Sequence, residues 1–197
     1  MNRIFITALI IIVSACTIIP NENCSGVYSL DGMGWYESQM KAAGAKPLCK
    51  TVKDQNEAFR FTWLRTFHNP IVVTLEKEGD KVHLDGVRLD GAGGYKPGKI
   101  VEKIRTILTV EEYAEFSRLI GQLDFRSLKT QDQLMDEALR VSGELIIGTD
   151  GAQWVFEGAN FQYAHSVDRW SLDKGPLKEA GLYLLEKSKI KLNGPVY

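Results

Sequence analysis

The chain has 197 residues, of which 44% are apolar, 10% aromatic and 25% charged, with 24 basic against 25 acidic side chains. This composition is typical of a globular domain with a hydrophobic core rather than of a disordered or fibrous chain. The formal charge of −1 gives no basic excess, so we predict no nucleic-acid partner.

The first sixteen residues are typical of an export signal. Arg3 is their single charged residue, and an almost wholly apolar run extends from residue 4 to residue 13. A cation followed by about ten apolar residues is typical of a secretory signal peptide, whereas a membrane span requires about 20. The small residues Ser14 and Ala15 then precede Cys16, as a signal peptidase requires.

The sequence Val13-Ser14-Ala15-Cys16 resembles the lipobox of bacterial lipoproteins. The resemblance implies cleavage before Cys16, attachment of diacylglycerol to its sulfur, and acylation of the new amino group by a palmitate-like chain. Three chains anchor a protein firmly, since each buried methylene contributes about 0.8 kcal/mol. Thr17 follows the cysteine, which under the enterobacterial sorting rule implies the outer membrane, facing the periplasm. The alternatives are ordinary secretion, with Cys16 as the first residue of a soluble protein, and an uncleaved anchor.

Three cysteines are present, and the lipobox resemblance assigns Cys16 to the lipid. Cys24 and Cys49 then remain as an even pair. An exported protein folds in an oxidising compartment, where such a pair usually bonds. We therefore predict a Cys24–Cys49 disulfide, with two buried free thiols as the alternative.

The predicted organisation is a signal peptide over residues 1–15, a lipidated tether over 16–30 and a single domain over 31–197, because no repeat or linker marks a second domain. Apolar periodicity and turn residues predict the following elements. Helices are expected over residues 34–44, 109–121, 130–141 and 176–188, and strands over 59–67, 71–78, 81–89, 99–108, 144–149, 152–157 and 161–170.

Three local signals place these elements. Thr109 and Glu112 form a capping box at a helix start. Asp150-Gly151 is typical of a tight hairpin turn, and Pro176 occupies a tolerated first helical position. Because strands dominate and are joined by turns, we expect an α+β fold, mainly an antiparallel sheet including a C-terminal three-stranded meander, with helices packed on one face.

The meander suggests a candidate binding surface. Its predicted register places Ala164 opposite Trp154 and leaves one polar sheet face. That face carries Tyr163, His165 and Arg169, residue types that are compatible with ligand or partner binding. The simpler alternative is a solvated face.

Catalytic and metal motifs are weak. Glu157 and His165 suggest an acid–base pair, but the predicted register separates them by about 13 Å along the sheet, beyond the reach of a dyad. The histidines are scattered and no metal-binding motif occurs, so we predict no metal site and no cofactor. The glycine-rich loop over residues 90–98 lacks the features of a phosphate-binding loop. It is either a flexible connection or the gate of a pocket.

The C-terminal stretch DGAQWVFEG…YAHSVDRWS resembles uncharacterised secreted bacterial proteins and carries no function from them. We therefore expect a lipid-anchored cell-envelope protein with a non-catalytic domain that binds an envelope protein or a small ligand. The alternative is an envelope hydrolase whose site is assembled from distant residues, His165 or His83 among them. A purely structural envelope component is the third possibility.

Overall fold

The computed structural model describes residues 34–52, 56–143, 150–160 and 163–197. The predicted signal peptide, Cys16, Cys24 and the predicted strand over 144–149 lie outside these residues. Cys49, the one cysteine in the described part, is disulfide-bonded. Its partner is therefore outside that part, and pairing with Cys24 stays a prediction. No helix within the described ranges is long and apolar enough to cross a membrane.

Six strands form one antiparallel sheet in the described part of the chain. They are β1 (Glu57–Arg65), β2 (Ile71–Glu78), β3 (Lys81–Leu89), β4 (Ile100–Leu108), β5 (Ala152–Asn160) and β6 (Ala164–Trp170). Their spatial order is β4-β3-β2-β1-β5-β6, and every neighbouring pair is antiparallel. The first four strands make a meander, and β5 pairs with the other edge of β1. The predicted α+β class is confirmed.

Helices cover both faces of this sheet. They are α1 (Gly34–Ala42), α2 (Leu48–Thr51), α3 (Val110–Gly121), α4 (Gln131–Ser142) and α5 (Pro176–Ser188). As predicted, α3 and α5 pack on one face, here called the front face, which carries Phe61, Trp63 and Trp154. The prediction that the helices share one face is wrong, because α1 and α2 cover the back face, which carries Arg60, Thr62 and Val155.

The front-face core is built from aromatic residues at alternate positions of β1 and β5. The rings of Phe61 and Phe156 stack at 4.8 Å, and those of Trp63 and Trp154 lie 5.5 Å apart. α5 approaches these rings closely through Gly181, where a Cβ atom would lie 3.0 Å from Phe156. A larger residue at this position would push the helix off the sheet.

The glycine-rich loop after β3 holds α1 on the back face. Trp35 donates its indole N–H to the carbonyl of Gly93 at 2.7 Å, and Gln39 donates to the carbonyl of Tyr95 at 3.1 Å. Gly93 itself lies against the end of β1, since a Cβ atom there would be 2.5 Å from the carbonyl oxygen of Arg65. The loop is therefore a closely packed connection.

The predicted register of β6 is wrong. Trp154 lies opposite Arg169 rather than Ala164, a shift of five residues. The prediction placed a turn at Gly158, but this glycine continues β5. Its lack of a side chain leaves room for the ring of Phe125, since a Cβ atom on Gly158 would lie 2.9 Å from that ring. An odd shift moves every side chain to the opposite face.

Candidate binding cleft on the back face

A row of polar side chains crosses the back face from one strand to the next. Glu157 lies opposite Arg60, Arg60 opposite Thr74, Thr74 opposite Asp85, and Asp85 opposite Arg105. Directly opposed residues project to the same side of an antiparallel sheet and contact each other. The row therefore places acidic and basic groups side by side over five strands.

The inner end of the row is a buried ion pair. Arg60 Nη1 donates to Glu157 Oε2 at 3.0 Å, and the two side chains are 2% and 0% exposed. The hydroxyl of Tyr36 donates to the same oxygen at 2.9 Å. Burial, and secondarily the charge of Glu157, raise the Tyr36 pKa well above its ordinary value. Tyr36 thus stays a neutral donor.

Arg60 also ties the segment between α1 and α2 to the sheet. Its Nη2 donates to the carbonyl of Lys46 at 2.6 Å, and its Nε donates to Thr74 Oγ1 at 3.4 Å. Because its nitrogens already have partners within the protein, Arg60 holds the wall of the cleft and is not available to a ligand.

The outer end of the row is a second, more exposed ion pair. Arg105 donates from Nε to Asp85 Oδ1 at 2.6 Å and from Nη2 to Oδ2 at 2.5 Å. The hydrogen bonds to Asp85 raise the pKa of Arg105. This bidentate contact neutralises Asp85 and fixes the orientation of both planar groups.

A cleft of about 170 Å³ lies between these two ion pairs. The α1–α2 connection forms one wall, and Val72 and Val87 form an apolar floor. Three further charged side chains line it: Lys46, Glu76 and Lys103. None of the three makes a side-chain hydrogen bond or ion pair within the described residues. The cleft therefore presents two ammonium groups and one carboxylate that are open to an incoming group.

The three residues predicted to bind a partner lie together, but away from this cleft. His165 and Arg169 lie on the front face of β6. Their neighbour Asp168 projects to the other side of the strand, onto the back face that also carries Glu157. All three predicted residues contact the segment between α3 and α4. Arg126 lies 3.9 Å over the ring of Tyr163, His165 Nε2 is 3.0 Å from the carbonyl oxygen of Leu128, and Arg169 donates to the carbonyl of Lys129 at 2.7 Å. These contacts fix that segment to β6, and a binding role for the three residues stays a prediction.

Glu157 and His165 form no acid–base pair, but the predicted separation along the sheet is wrong. Glu157 lies opposite Ser166, next to His165, and the two side chains project to opposite faces of the sheet. His83 lies opposite Glu76 on the back face, next to the cleft, and no hydrogen bond joins the two side chains. Within the described ranges no group of three or more histidine, cysteine, aspartate or glutamate side chains could hold a metal ion.

The sequence reasoning missed the cleft because its residues come from separate elements. Arg60 and Glu157 belong to β1 and β5, which are interior strands with both faces covered, and this position is not visible in either strand alone. One feature of the sequence does indicate a buried charge in β1. Arg60 alternates with Ala58, Thr62 and Leu64, a set too apolar for a solvated face, so a charged residue among them indicates a buried partner.

Comparison with models of known protein families gives no match, and neither does comparison with curated proteins.

Proposed function

We propose that this chain is a lipid-anchored cell-envelope protein whose domain binds a small ligand, or the end of a partner chain, in the back-face cleft without catalysing a reaction. The observation that carries the binding role is a preformed cleft lined by three charged side chains that make no side-chain hydrogen bond or ion pair within the described residues: Lys46, Glu76 and Lys103. The resemblance of residues 13–16 to a lipobox carries the anchoring role.

The chemistry of the cleft suits a small zwitterion. A ligand carboxylate would pair with the ammonium group of Lys46 or Lys103, and a ligand amine with the carboxylate of Glu76. At about 170 Å³ the cleft is smaller than the sites of drug-sized molecules, which measure about 300–1,000 Å³. This size favours a free amino acid or the end of a peptide.

The lining groups support binding rather than catalysis. Thr74 accepts a hydrogen bond from Arg60, Thr51 donates its hydroxyl to the carbonyl of Leu48 at 2.8 Å, and Asp85 is held by Arg105. Among the described residues, neither threonine hydroxyl is hydrogen-bonded to a general base, an arrangement that nucleophilic catalysis requires.

Calorimetric titration of the purified protein with free amino acids and dipeptides tests the binding role. We expect saturable binding that Glu76→Gln and Lys103→Ala each weaken at least tenfold, which corresponds to about 1.4 kcal/mol. Lys174→Ala, a change at an exposed lysine outside the cleft, is the matched control and should leave affinity unchanged. Equal affinities in all four proteins would place the binding elsewhere.

Metabolic labelling tests the anchor independently. Cells fed labelled palmitate should incorporate the label into the wild-type protein but not into a Cys16→Ser variant, and the labelled protein should sediment with outer membranes. Absence of label from both proteins would refute lipidation. Mass spectrometry after alkylation without reduction tests the predicted Cys24–Cys49 disulfide, since two alkylated thiols would contradict it.

A further inference from the structure

The end of β1 places a buried cation on the front face, and no carboxylate side chain of the described residues pairs with it. Arg65 is fully buried, and its guanidinium lies 4.2 Å over the ring of Trp63. Nη1 donates to the carbonyls of Asn193 and Pro195 at 2.7 and 3.1 Å. Nε and Nη2 are buried and have no hydrogen-bond partner, and no carboxylate within the described residues forms an ion pair with this side chain.

Two further donors beside Arg65 are unpaired. Trp63 and Trp154 are directly opposed on β1 and β5, with ring centroids 5.5 Å apart. Each indole N–H is buried and has no acceptor. Buried donors are nearly always hydrogen-bonded, because an unpaired one loses its hydration without compensation. Four unpaired donors in one cluster therefore indicate a missing acceptor.

The geometry of Arg65 indicates what kind of acceptor this is. Nε and Nη2 form one edge of the planar guanidinium, and that edge matches the paired oxygens of a carboxylate or phosphate group. A water molecule would satisfy a donor but would leave the buried positive charge uncompensated. An oxyanion provides both the acceptor oxygens and the charge.

The C-terminal segment, residues 191–197, covers this position. It follows Ile190 without regular secondary structure, and all its residues except Tyr197 are exposed. Besides its two carbonyl contacts with Arg65, it is held by a 2.8 Å hydrogen bond and a ring contact between Tyr197 and His68. Lys191 donates its backbone N–H to Glu102 at 3.3 Å, and Asn193 donates to Asn69 at 3.0 Å. An exposed segment without regular secondary structure can open locally when these contacts break, and such an opening uncovers Arg65.

We infer that Arg65 is the centre of an anion-binding site on the front face, which accepts a carboxylate or phosphate group when residues 191–197 lift. This site is distinct from the back-face cleft and does not depend on its function. The oxyanion binds the Nε–Nη2 edge, next to the indole donors of Trp63 and Trp154.

Tryptophan fluorescence of the full chain tests this site, because Trp63 contacts Arg65 and Trp154 lies beside Trp63. Sodium acetate and sodium phosphate are titrated at constant ionic strength against sodium chloride. We expect a saturable change with at least one of the two oxyanions and none with chloride. The anion that binds more tightly identifies a carboxylate or a phosphate ligand.

Three variants make the result specific. Arg65→Lys keeps the positive charge but loses the paired Nε and Nη2 donors, and should weaken anion binding at least tenfold. Tyr197→Phe removes the bond to His68 and should speed association. Arg126→Lys is the matched control, since Arg126 also lies over an aromatic ring, that of Tyr163, and should not change the affinity.

No saturable response to either oxyanion, or equal affinity in wild type and Arg65→Lys, would overturn the inference and leave water as the acceptor. If Arg65→Lys does not fold, the wild-type protein still decides the question by ¹⁵N NMR of the arginine side chains. The Nε–H resonance of Arg65 must then shift on anion addition while that of Arg126 stays in place.

Discussion

Replacing Glu157 with glutamine would remove the carboxylate charge that pairs with the buried guanidinium of Arg60. The pair is joined by a single contact of 3.0 Å between side chains that are 2% and 0% exposed. Glutamine retains an oxygen that can accept from Tyr36 and Arg60, so the variant isolates the loss of charge from the loss of hydrogen bonds.

The size of the effect follows from burial. Removing one partner of a buried ion pair costs about 3–5 kcal/mol, because the remaining charge keeps its desolvation penalty. Since glutamine preserves the acceptor, we expect the lower end, about 3 kcal/mol. For a domain of this size, about 1 kcal/mol shifts the melting temperature by roughly 2–4 °C, which gives a loss of about 6–12 °C.

Equilibrium unfolding in urea, followed by near-UV circular dichroism, measures this free energy. Arg60→Met should be similarly destabilising, and the double variant should cost less than the sum of the two, because it leaves no unpaired charge. The control is Glu115→Gln, which removes the exposed 2.7 Å pair with Arg118 and should leave the unfolding midpoint unchanged. Additive single effects below about 1 kcal/mol would refute the assignment of Arg60 and Glu157 as a coupled buried pair.

Three further predictions concern packing, capping and pH. Gly181→Ala should lower the free energy of unfolding by about 1 kcal/mol, because its Cβ would lie 3.0–3.2 Å from three buried aromatic rings. Gly121→Ala is the control in the same urea assay. It should be neutral or stabilising, because its Cβ would have no atom within 4 Å. Thr109→Ala should cost about 1 kcal/mol by loss of its capping box, and Thr130→Ala less, because α4 has no buried residue to couple its end to the core. Burial raises the pKa of Asp168, so its protonated form is favoured in the folded state. The free energy of unfolding of the wild type, taken relative to that of Asp168→Asn, should therefore fall as pH rises through the folded-state pKa of Asp168. An increase of this difference over the same pH range would contradict the prediction.

Local features of the fold were predictable because a few neighbouring residues specify them. The predicted bounds of β2, β3 and α5 agree with the structure, and the capping box at Thr109 is confirmed. In each case a turn or cap residue lies next to a stretch in which apolar residues recur at regular spacing. Both features depend only on residues that are close together in the sequence. The register of β6 failed because Gly158 looks like a turn residue but accommodates the Phe125 ring inside a strand.

The candidate sites were not predictable in this way. Arg60 and Glu157 are 97 positions apart, and Arg65 contacts Asn193 across 128 positions. In the sequence, each of these arginines looks like an ordinary charged residue of an alternating strand. Its burial and its partners can be recognised only when the order of the strands is known. The binding residues predicted from the polar face of β6 instead contact the segment between α3 and α4.

By itself, the sequence determined the α+β class and the bounds of several elements, since each depends on short-range patterns or on composition. The resemblance of residues 13–16 to a lipobox is also a short-range pattern, and the leader it implies stays a prediction. Tertiary structure alone decided that β5 pairs with β1, so that the two strands have both faces covered. That pairing is the physical reason why Arg60 and Arg65 are buried. Arg60 has a carboxylate partner in Glu157, whereas Arg65 has none among the described residues. Whether a strand is at the edge or in the interior of a sheet depends on contacts between distant residues, and the pattern within a single strand does not contain that information.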